Sequence, residues 1–494
     1  MHSVCHVINP ASLDIYSYIS QLSGRKFTNA RLCSGKGLKV LGSRLHNWVR
    51  IEQPSLASSE RSRSFFNELP PEIIGEIFIH CLPRWYTFPK AGEVPMLLCQ
   101  VCSYWRQVAI STPILWSSFS SITDPLAKKA THLSLVKLWL NRSRNQPLSF
   151  SLHSAPKSHW VMEEFLKEIH RWHEVVIGLD DVLGRKFLRI QGRNAPWLES
   201  VWLTIQPGNW DVDQLGPVLN SFPALHRLQL SNTPTASFVN TPWPRLTHVT
   251  IHCKIPVGHF ITLLSNTPML ECVILYAKLA TSTTPSPNLI VTLSSLRSLK
   301  FQAEDSGEVL DHLILPSLLS LDISMPKYYD ALRRFSERSA CKLKAFIQSD
   351  SRANPYGVYC CLKLPCMQSL RELTLFSAVS NQSLALLTWS SMPNSTAGCL
   401  MPHLITLILR LCTTTDGIMS RMIASRWPER NSTETLPTSL QHVGLCYYWD
   451  GACRWNRSRG NDATPYPVDF SYFEQLASRG LDIHWSTLLT PHFP

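Results

Sequence analysis

An apolar pattern, leucine-x-x-leucine-x-leucine, recurs along most of this chain and restricts it to folds built from stacked repeats. The first apolar positions of the eleven copies are Trp172, Leu198, Leu225, Leu246, Leu270, Leu296, Leu318, Leu343, Leu370, Leu404 and Leu440. Successive copies are 26, 27, 21, 24, 26, 22, 25, 27, 34 and 36 residues apart. A single copy cannot bury its own apolar side, so the copies are predicted to stack and share one continuous core.

Each copy is predicted to contribute one short strand, whose apolar residues point into the stack while the alternating residues point to the concave face. The first predicted row on that face is Val176, Trp202, Gln229, Thr250, Ile274, Lys300, Asp322, Thr374 and Ile408. A second row beside it is Thr204, Ser231, His252, Tyr276, Gln302, Ser324, Phe376 and Arg410. Because aromatic and basic side chains dominate many interfaces, the candidate target-binding residues are Trp202, Tyr276, Lys300, Phe376 and Arg410.

Three short helical patterns precede the repeats. The first is predicted to begin at Pro71, since proline is tolerated in the first turn of a helix. A second apolar stripe at helical spacing runs from Leu97 to Ala109, and Thr112 before Pro113 predicts a capped third helix. Three short helices bury little by themselves, so their surplus of apolar residues favours a docking surface.

This helical stretch contains the segments Leu69-Pro70-Pro71-Glu72-Ile73-Ile74, Val101-Cys102-x-x-Trp105-Arg106 and Leu115-Trp116. Together and in this order they resemble the F-box, in the F-box-like form expanded in mushroom-forming fungi. The repeats that follow resemble the irregular leucine-rich repeats found downstream of F-boxes. The resemblance implies an α+β repeat fold, in which a three-helix F-box-like module precedes a leucine-rich-repeat α/β solenoid.

The resemblance also implies that the helices bind a Skp-type adaptor, which connects them to the cullin scaffold of an SCF-type ubiquitin ligase. The adaptor-facing set that it implies is Leu69, Pro70, Pro71, Ile74, Ile77, Leu98, Val101 and Trp105. The predicted function is therefore substrate recognition for a cullin-RING ligase, with the repeats binding a protein target that the sequence does not identify. The alternative is a leucine-rich-repeat interaction scaffold without a ligase role, which differs in whether the adaptor binds.

Five parts are predicted along the chain. They are a flexible basic leader (1–64), the F-box-like domain (65–120), a helical connector with a first strand (121–160), the repeat array (161–450) and a C-terminal cap or tail (451–494). Of the net charge of +12, the first 66 residues hold nine Lys and Arg against three Asp and Glu, or +6. The remaining +6 is spread over 428 residues, which argues against a nucleic-acid groove.

The sequence carries no nucleotide-binding, zinc-protease or acyl-transfer motif, so a non-catalytic subunit without a cofactor is expected. Cys99-x-x-Cys102 has no second cysteine pair at zinc spacing, and both residues lie on the second helical stripe, so no metal site is expected. No apolar run has the length of a membrane span and no signal peptide is evident, so the cytoplasm or nucleus is the expected location.

One further cluster follows the last clear repeat. It consists of Tyr447, Tyr448, Trp449, Arg454, Trp455, Arg457 and Arg459. Two interpretations stay open at this point: a terminal cap that buries the last repeat, or a second recognition surface of aromatic and arginine side chains.

Overall fold

A computed structural model of the chain describes residues 69–83, 86–121, 129–153, 158–206, 208–232, 235–276, 279–280, 289–301, 306–324, 329–349, 354–389, 400–427, 440–449 and 466–489. The predicted leader, residues 1–64, lies outside these ranges. The same holds for Gln302 of the second predicted row and for the four residues of the terminal cluster from Arg454 to Arg459.

The helical stretch forms α1 (Pro71–His80), α2 (Leu98–Val101), α3 (Ser103–Ser111) and a 3-10 turn (Pro113–Trp116). Helix α1 begins at Pro71 as predicted. The single helix predicted from Leu97 to Ala109 is wrong, because Cys102 is extended (φ −157°, ψ 173°) and separates α2 from α3. The cap predicted at Thr112 is also wrong, since its hydroxyl donates to the Val108 carbonyl at 2.8 Å instead.

Strands alternate with helices over the rest of the described chain. The strands are β1 (Ser118–Ser120), β2 (Leu148–Leu152), β3 (Trp172–Leu179), β4 (Ser200–Ile205), β5 (Arg227–Leu230), β6 (His248–Ile251), β7 (Ile255–Pro256), β8 (Cys272–Leu275), β9 (Leu279–Ala280), β10 (Val291–Thr292), β11 (Ser298–Phe301), β12 (Leu313–Ile314), β13 (Ser320–Ile323), β14 (Ala345–Gln348), β15 (Glu372–Val379), β16 (Thr406–Cys412), β17 (His442–Trp449) and β18 (Asp482–Leu489).

The helices between them are α4 (Lys129–Ser143), α5 (Ser158–Lys167), α6 (Asp181–Leu188), α7 (Leu215–Asn220), α8 (Ala236–Asn240), α9 (Val257–Ser265), α10 (Ser306–Asp311), α11 (Tyr329–Ser339), α12 (Pro355–Leu362), α13 (Asn381–Leu387), α14 (Ile418–Arg426) and α15 (Pro467–Ser478). Within the described ranges, none of the helices has the length and apolar character needed to cross a membrane.

A parallel sheet is the frame of the molecule. Across the described residues its order is β1-β2-β3-β4-β5-β6-β8-β11-β13-β14-β15-β16-β17-β18, and every adjacent pair is parallel. All eleven sequence repeats supply a strand of this sheet. The sheet also extends beyond the predicted array of residues 161–450, because β1 and β2 join one end and β18 joins the other.

The register of the strands agrees with the apolar pattern. Leu203 pairs with Leu230 and both are buried, while the preceding residues, Trp202 and Gln229, pair with each other and are partly exposed. Neighbouring residues in a strand point to opposite sides, so the buried residues face one side of the sheet and the partly exposed residues face the other. The helices pack against the buried side. The other side, here called the open face, carries the residues that were predicted to lie on the concave face.

Aromatic side chains join the helical stretch to the sheet. The ring of Trp116 packs edge-on against Trp139 of α4 at 4.8 Å, and Trp139 contacts Phe119 of β1 at 6.0 Å. Phe119 in turn contacts Phe165 of α5 at 5.6 Å. The core therefore runs from the short helices into the repeats without a break, so the two parts are packed together rather than joined by a linker.

The first edge of the sheet is covered by the segment between α1 and α2. The Ser120 amide donates to the Thr87 carbonyl at 2.8 Å, and the Thr87 amide donates to the Ser118 hydroxyl at 3.2 Å. Thr87 is buried as a result. An exposed strand edge invites pairing with another chain, and this segment occupies that position.

Candidate functional site

The interior of the helical stretch includes two residues that the resemblance placed at the adaptor surface. Ile74 and Leu98 are both buried, and they belong to the same core as Phe78, Val108 and Leu115. They are therefore core residues rather than surface contacts. The reason is geometric, because α1 packs on α3 through the side of the helix that carries Ile74 and Phe78.

Other members of the implied set are accessible. Val101, at the end of α2, is 50% exposed, and Pro70 and Pro71 are exposed as well. Ile73 was not among the implied residues, although it is also 50% exposed. The helical spacing groups Ile73 with Pro70 and Ile77, at intervals of three and four residues on one side of α1, but the spacing alone does not decide that this side faces solvent.

The remaining members, Leu69, Ile77 and Trp105, are partly buried, and Leu69 and Trp105 pack against the core. The ring centroid of Trp105 lies 5.0 Å from that of Phe78, which joins α3 to α1. The Tyr104 hydroxyl donates to the Leu69 carbonyl at 2.9 Å and holds the start of α1 against α3. The stretch thus presents an apolar surface on a fixed helical support.

The open face carries a group of stacked rings, here called the aromatic stack, formed by Trp202, His252 and Tyr276. The centroids of Trp202 and His252 are 5.6 Å apart with an interplanar angle of 16°. Those of His252 and Tyr276 are 4.7 Å apart at 9°. The Trp202 indole N–H donates to the Ser231 hydroxyl at 2.9 Å, which fixes the ring at one end of the stack.

The imidazole in the stack is held neutral. Burial lowers the pKa of His252 to about 4, because the charged form would lose its hydration between two rings. His252 belongs to the second predicted row, yet it was not among the predicted target-binding residues. The His252 ring lies between Trp202 and Tyr276, two of the predicted target-binding residues, and so joins them in one stack.

Lys300 lies next to the stack on the adjacent strand. Its ammonium nitrogen is 5.7 Å from the Tyr276 ring centroid and 2.9 Å from Oδ2 of Asp322. Asp322 is buried, and its Oδ1 accepts a hydrogen bond from the Ser349 hydroxyl. Lys300 was predicted to contact a target, but its positive charge is largely neutralised by Asp322 within the sheet.

Phe376 and Arg410 form a second group, here called the phenylalanine–arginine pair. The guanidinium carbon of Arg410 lies 5.8 Å from the Phe376 ring centroid, and both residues are exposed. Cation–π contact with a ring restricts the guanidinium without neutralising it. The five predicted target-binding residues thus fall into two separate places on one face.

Ile347 was missed in the first predicted row. It pairs with Asp322 on one side and Thr374 on the other, so it fills the gap in that row. The copy to which it belongs lacks the last apolar residue, because Gln348 occupies that position. The Gln348 side chain is buried and accepts from the Ser377 amide at 3.0 Å, which explains how a polar residue fits there.

Tyr447 is the member of the terminal aromatic cluster whose side chain the structure describes. Tyr447 is buried and lies 4.3 Å from the Tyr466 ring and 5.3 Å from the Phe470 ring. Burial, followed by the charge of Asp469, raises the pKa of Tyr447. Tyr447 is therefore part of the packing between β17 and α15, as the cap interpretation predicts, and it is not a surface contact.

Comparisons with known proteins add little to this site. No family model matches the chain, and no curated protein matches it. Among solved structures, one titled "Crystal structure of Rad7 and Elc1 complex in yeast" aligns at 12% identity with a TM-score of 0.29. The alignment covers 68% of this chain and 94% of the yeast chain. Similarity at this level carries no conclusion about fold or function.

Proposed function

We propose that the chain is a substrate-recognition subunit of a cullin-RING (SCF-type) ubiquitin ligase. In this proposal the F-box-like helices bind a Skp-type adaptor, and the open face of the repeats binds a protein target. The adaptor connects the complex to the cullin, and ubiquitin transfer takes place on other subunits. The contribution of this chain is proximity, because holding the target near the ligase raises its effective concentration.

The observation that carries the proposal is the exposed apolar surface of the short helices. Ile73 of α1 and Val101 of α2 each leave half of their surface in solvent, and Pro70 and Pro71 at the start of α1 are exposed as well. Isolated apolar residues are common on protein surfaces, but a group on one small helical unit marks an interaction site. The unbroken core between these helices and the repeats supports the second half of the proposal, since a target on the open face would be held at a fixed position.

The test measures binding of the purified full chain to a recombinant Skp-type adaptor. Ile73→Asp combined with Val101→Asp is expected to weaken binding at least tenfold, about 1.4 kcal/mol, because both carboxylates would be buried against the adaptor. Leu69→Ala combined with Pro70→Ala is expected to abolish binding while the repeats stay folded. Met269→Asp is the matched control, since Met269 is 53% exposed and lies in the turn before β8, within the repeats rather than the short helices.

Two results would contradict the proposal. If the unmodified chain does not bind the adaptor, the ligase role is wrong and the scaffold alternative is favoured. If the chain binds but the Ile73 and Val101 changes have no more effect than Met269→Asp, the assigned surface is wrong.

A further inference from the structure

We propose that the open face binds an extended peptide segment in which an apolar anchor and an acidic side chain are about seven residues apart. The anchor contacts the aromatic stack, and the acidic side chain contacts Arg410. This inference deepens the proposed function. It rests on that function in one respect, that the peptide segment belongs to a target of the ligase.

The anchor is inferred to be apolar because the stack offers ring surface without net charge. His252 is neutral at physiological pH, and Lys300, which lies beside the stack, is paired with Asp322. A charged side chain placed against Trp202 and Tyr276 would lose hydration without gaining a counter-ion. A leucine or phenylalanine side chain would instead bury apolar surface against rings that are already ordered.

The acidic side chain is inferred from the state of Arg410. In the part of the chain that the structure describes, the Arg410 guanidinium contacts the Phe376 ring and makes no ion pair with a carboxylate. Glu372 is the acidic residue of the neighbouring strand β15, but it lies opposite Thr406 in the sheet register, four residues before Arg410 in β16. An exposed guanidinium that is held in place and lacks a counter-ion is suited to bind a carboxylate.

Two arginines of α11 differ from Arg410 in this respect. Arg334 of α11 binds Asp311 of α10 at 2.6 Å, and Arg333 binds Glu337 at 3.0 Å. On the open face, Arg227 of β5 likewise lies 3.7 Å from Glu174 of β3. These three arginines have carboxylate partners, whereas Arg410 has none among the described residues.

The spacing follows from the strand order. The path from β8, which precedes Tyr276, to β16, which carries Arg410, crosses five strand intervals: β8-β11-β13-β14-β15-β16. Neighbouring strands are about 4.8 Å apart, so the two places are about 24 Å apart. An extended chain advances about 3.3 Å per residue and spans this distance in about seven residues. Between them lie Lys300, which is paired with Asp322, and the uncharged residues Ser324, Ile347 and Thr374, so the intervening positions of the peptide are inferred to be variable.

The test uses the full chain and a synthetic peptide library. Each peptide carries one leucine or phenylalanine and one glutamate in an alanine and serine background, at every spacing and in both orders. Enrichment is expected to peak at about seven residues and in one order. Arg410→Gln is expected to remove the preference for glutamate while keeping the apolar anchor, and Tyr276→Ala is expected to weaken all binding at least tenfold.

The control is Arg185→Gln, which removes the same charge from α6 on the helical side of the sheet and is expected to leave the enrichment unchanged. The inference is overturned if no spacing is preferred, or if Arg410→Gln keeps the glutamate preference. It is also overturned if phosphoserine in place of glutamate binds more than tenfold better, since a single arginine was assigned to a carboxylate. Adaptor binding is measured separately, so failure of the ligase role leaves these peptide results interpretable.

Discussion

Asp416 and Asp469 cap each other's helices at the end of the sheet. The Asp416 carboxylate accepts from the amides of Val468 at 3.1 Å and Asp469 at 2.9 Å, at the start of α15. Asp469, which is fully buried, accepts from the Ser420 amide at 2.9 Å near the start of α14 and from the Tyr447 hydroxyl at 3.2 Å. Each carboxylate lies where amide donors of a helix lack partners, so the pair fastens the last helix and strand to the repeats.

Asp469→Ala is expected to lower the free energy of unfolding by about 2–3 kcal/mol, because a buried amide and a buried hydroxyl lose their acceptor. Asp416→Ala removes a helix cap closer to the surface and is expected to cost about 1 kcal/mol. Urea unfolding followed by circular dichroism measures both changes. Equal losses for the two variants would show that the burial of Asp469 does not matter.

The stability of the protein is expected to fall as the pH is lowered from about 6.5 to about 4, in part because of His252. Its folded pKa of about 4 lies below the unfolded value of 6.5, so in this window the unfolded chain binds a proton that the folded chain does not. The loss contributed by this one residue is about 2 kcal/mol, after discounting for solvent around a partly exposed ring.

His252→Phe retains a ring in the stack and removes the titrating group. The variant is therefore expected to show a shallower decrease in melting temperature over the same pH range than the unmodified chain. An identical pH dependence of the two proteins would contradict the assignment of this effect to His252.

Lys300→Met is expected to destabilise the protein by about 1–3 kcal/mol, because Asp322 would stay buried without its counter-ion. Combining it with Asp322→Asn is expected to recover most of the loss, since the neutral amide still accepts from Ser349. Thermal unfolding of the two single variants and the double variant measures the coupling. Additive losses in the double variant would mean that the two side chains do not depend on each other.

Gly184→Ala in α6 is expected to cost about 1–3 kcal/mol through overpacking. A methyl group there would lie 2.5 Å from the Trp210 ring, which packs over this helix. Gly357→Ala in α12 is the matched control, because its methyl group would meet nothing within 4 Å. The control is expected to be neutral or to stabilise by up to about 1 kcal/mol, as alanine favours helix. A loss of the same size in both variants would contradict the overpacking argument.

Much of the sheet was predictable because its signal is local and repeated. Pairs such as Lys300 with Asp322 and Thr374 with Ile408 occur as predicted, since each copy of the pattern sets which side of the strand is buried. The prediction failed at Ile347, where the buried Gln348 hides the pattern. The predicted array also omitted the strands at the two ends of the sheet, because β1, β2 and β18 pair with the array without carrying the full repeat.

The sequence by itself determined the strand periodicity, the order of the repeats and the rows of the open face, because a period of two residues and a common spacing leave one consistent register. Only the tertiary structure decided which apolar residues of the short helices are core. The same stripe contains Ile74, which packs inward, and Ile73, which lies in solvent, and their difference depends on where α3 sits. The aromatic stack and the Asp416–Asp469 caps likewise join residues from different repeats, and contacts between distant residues leave no periodic signal in the chain.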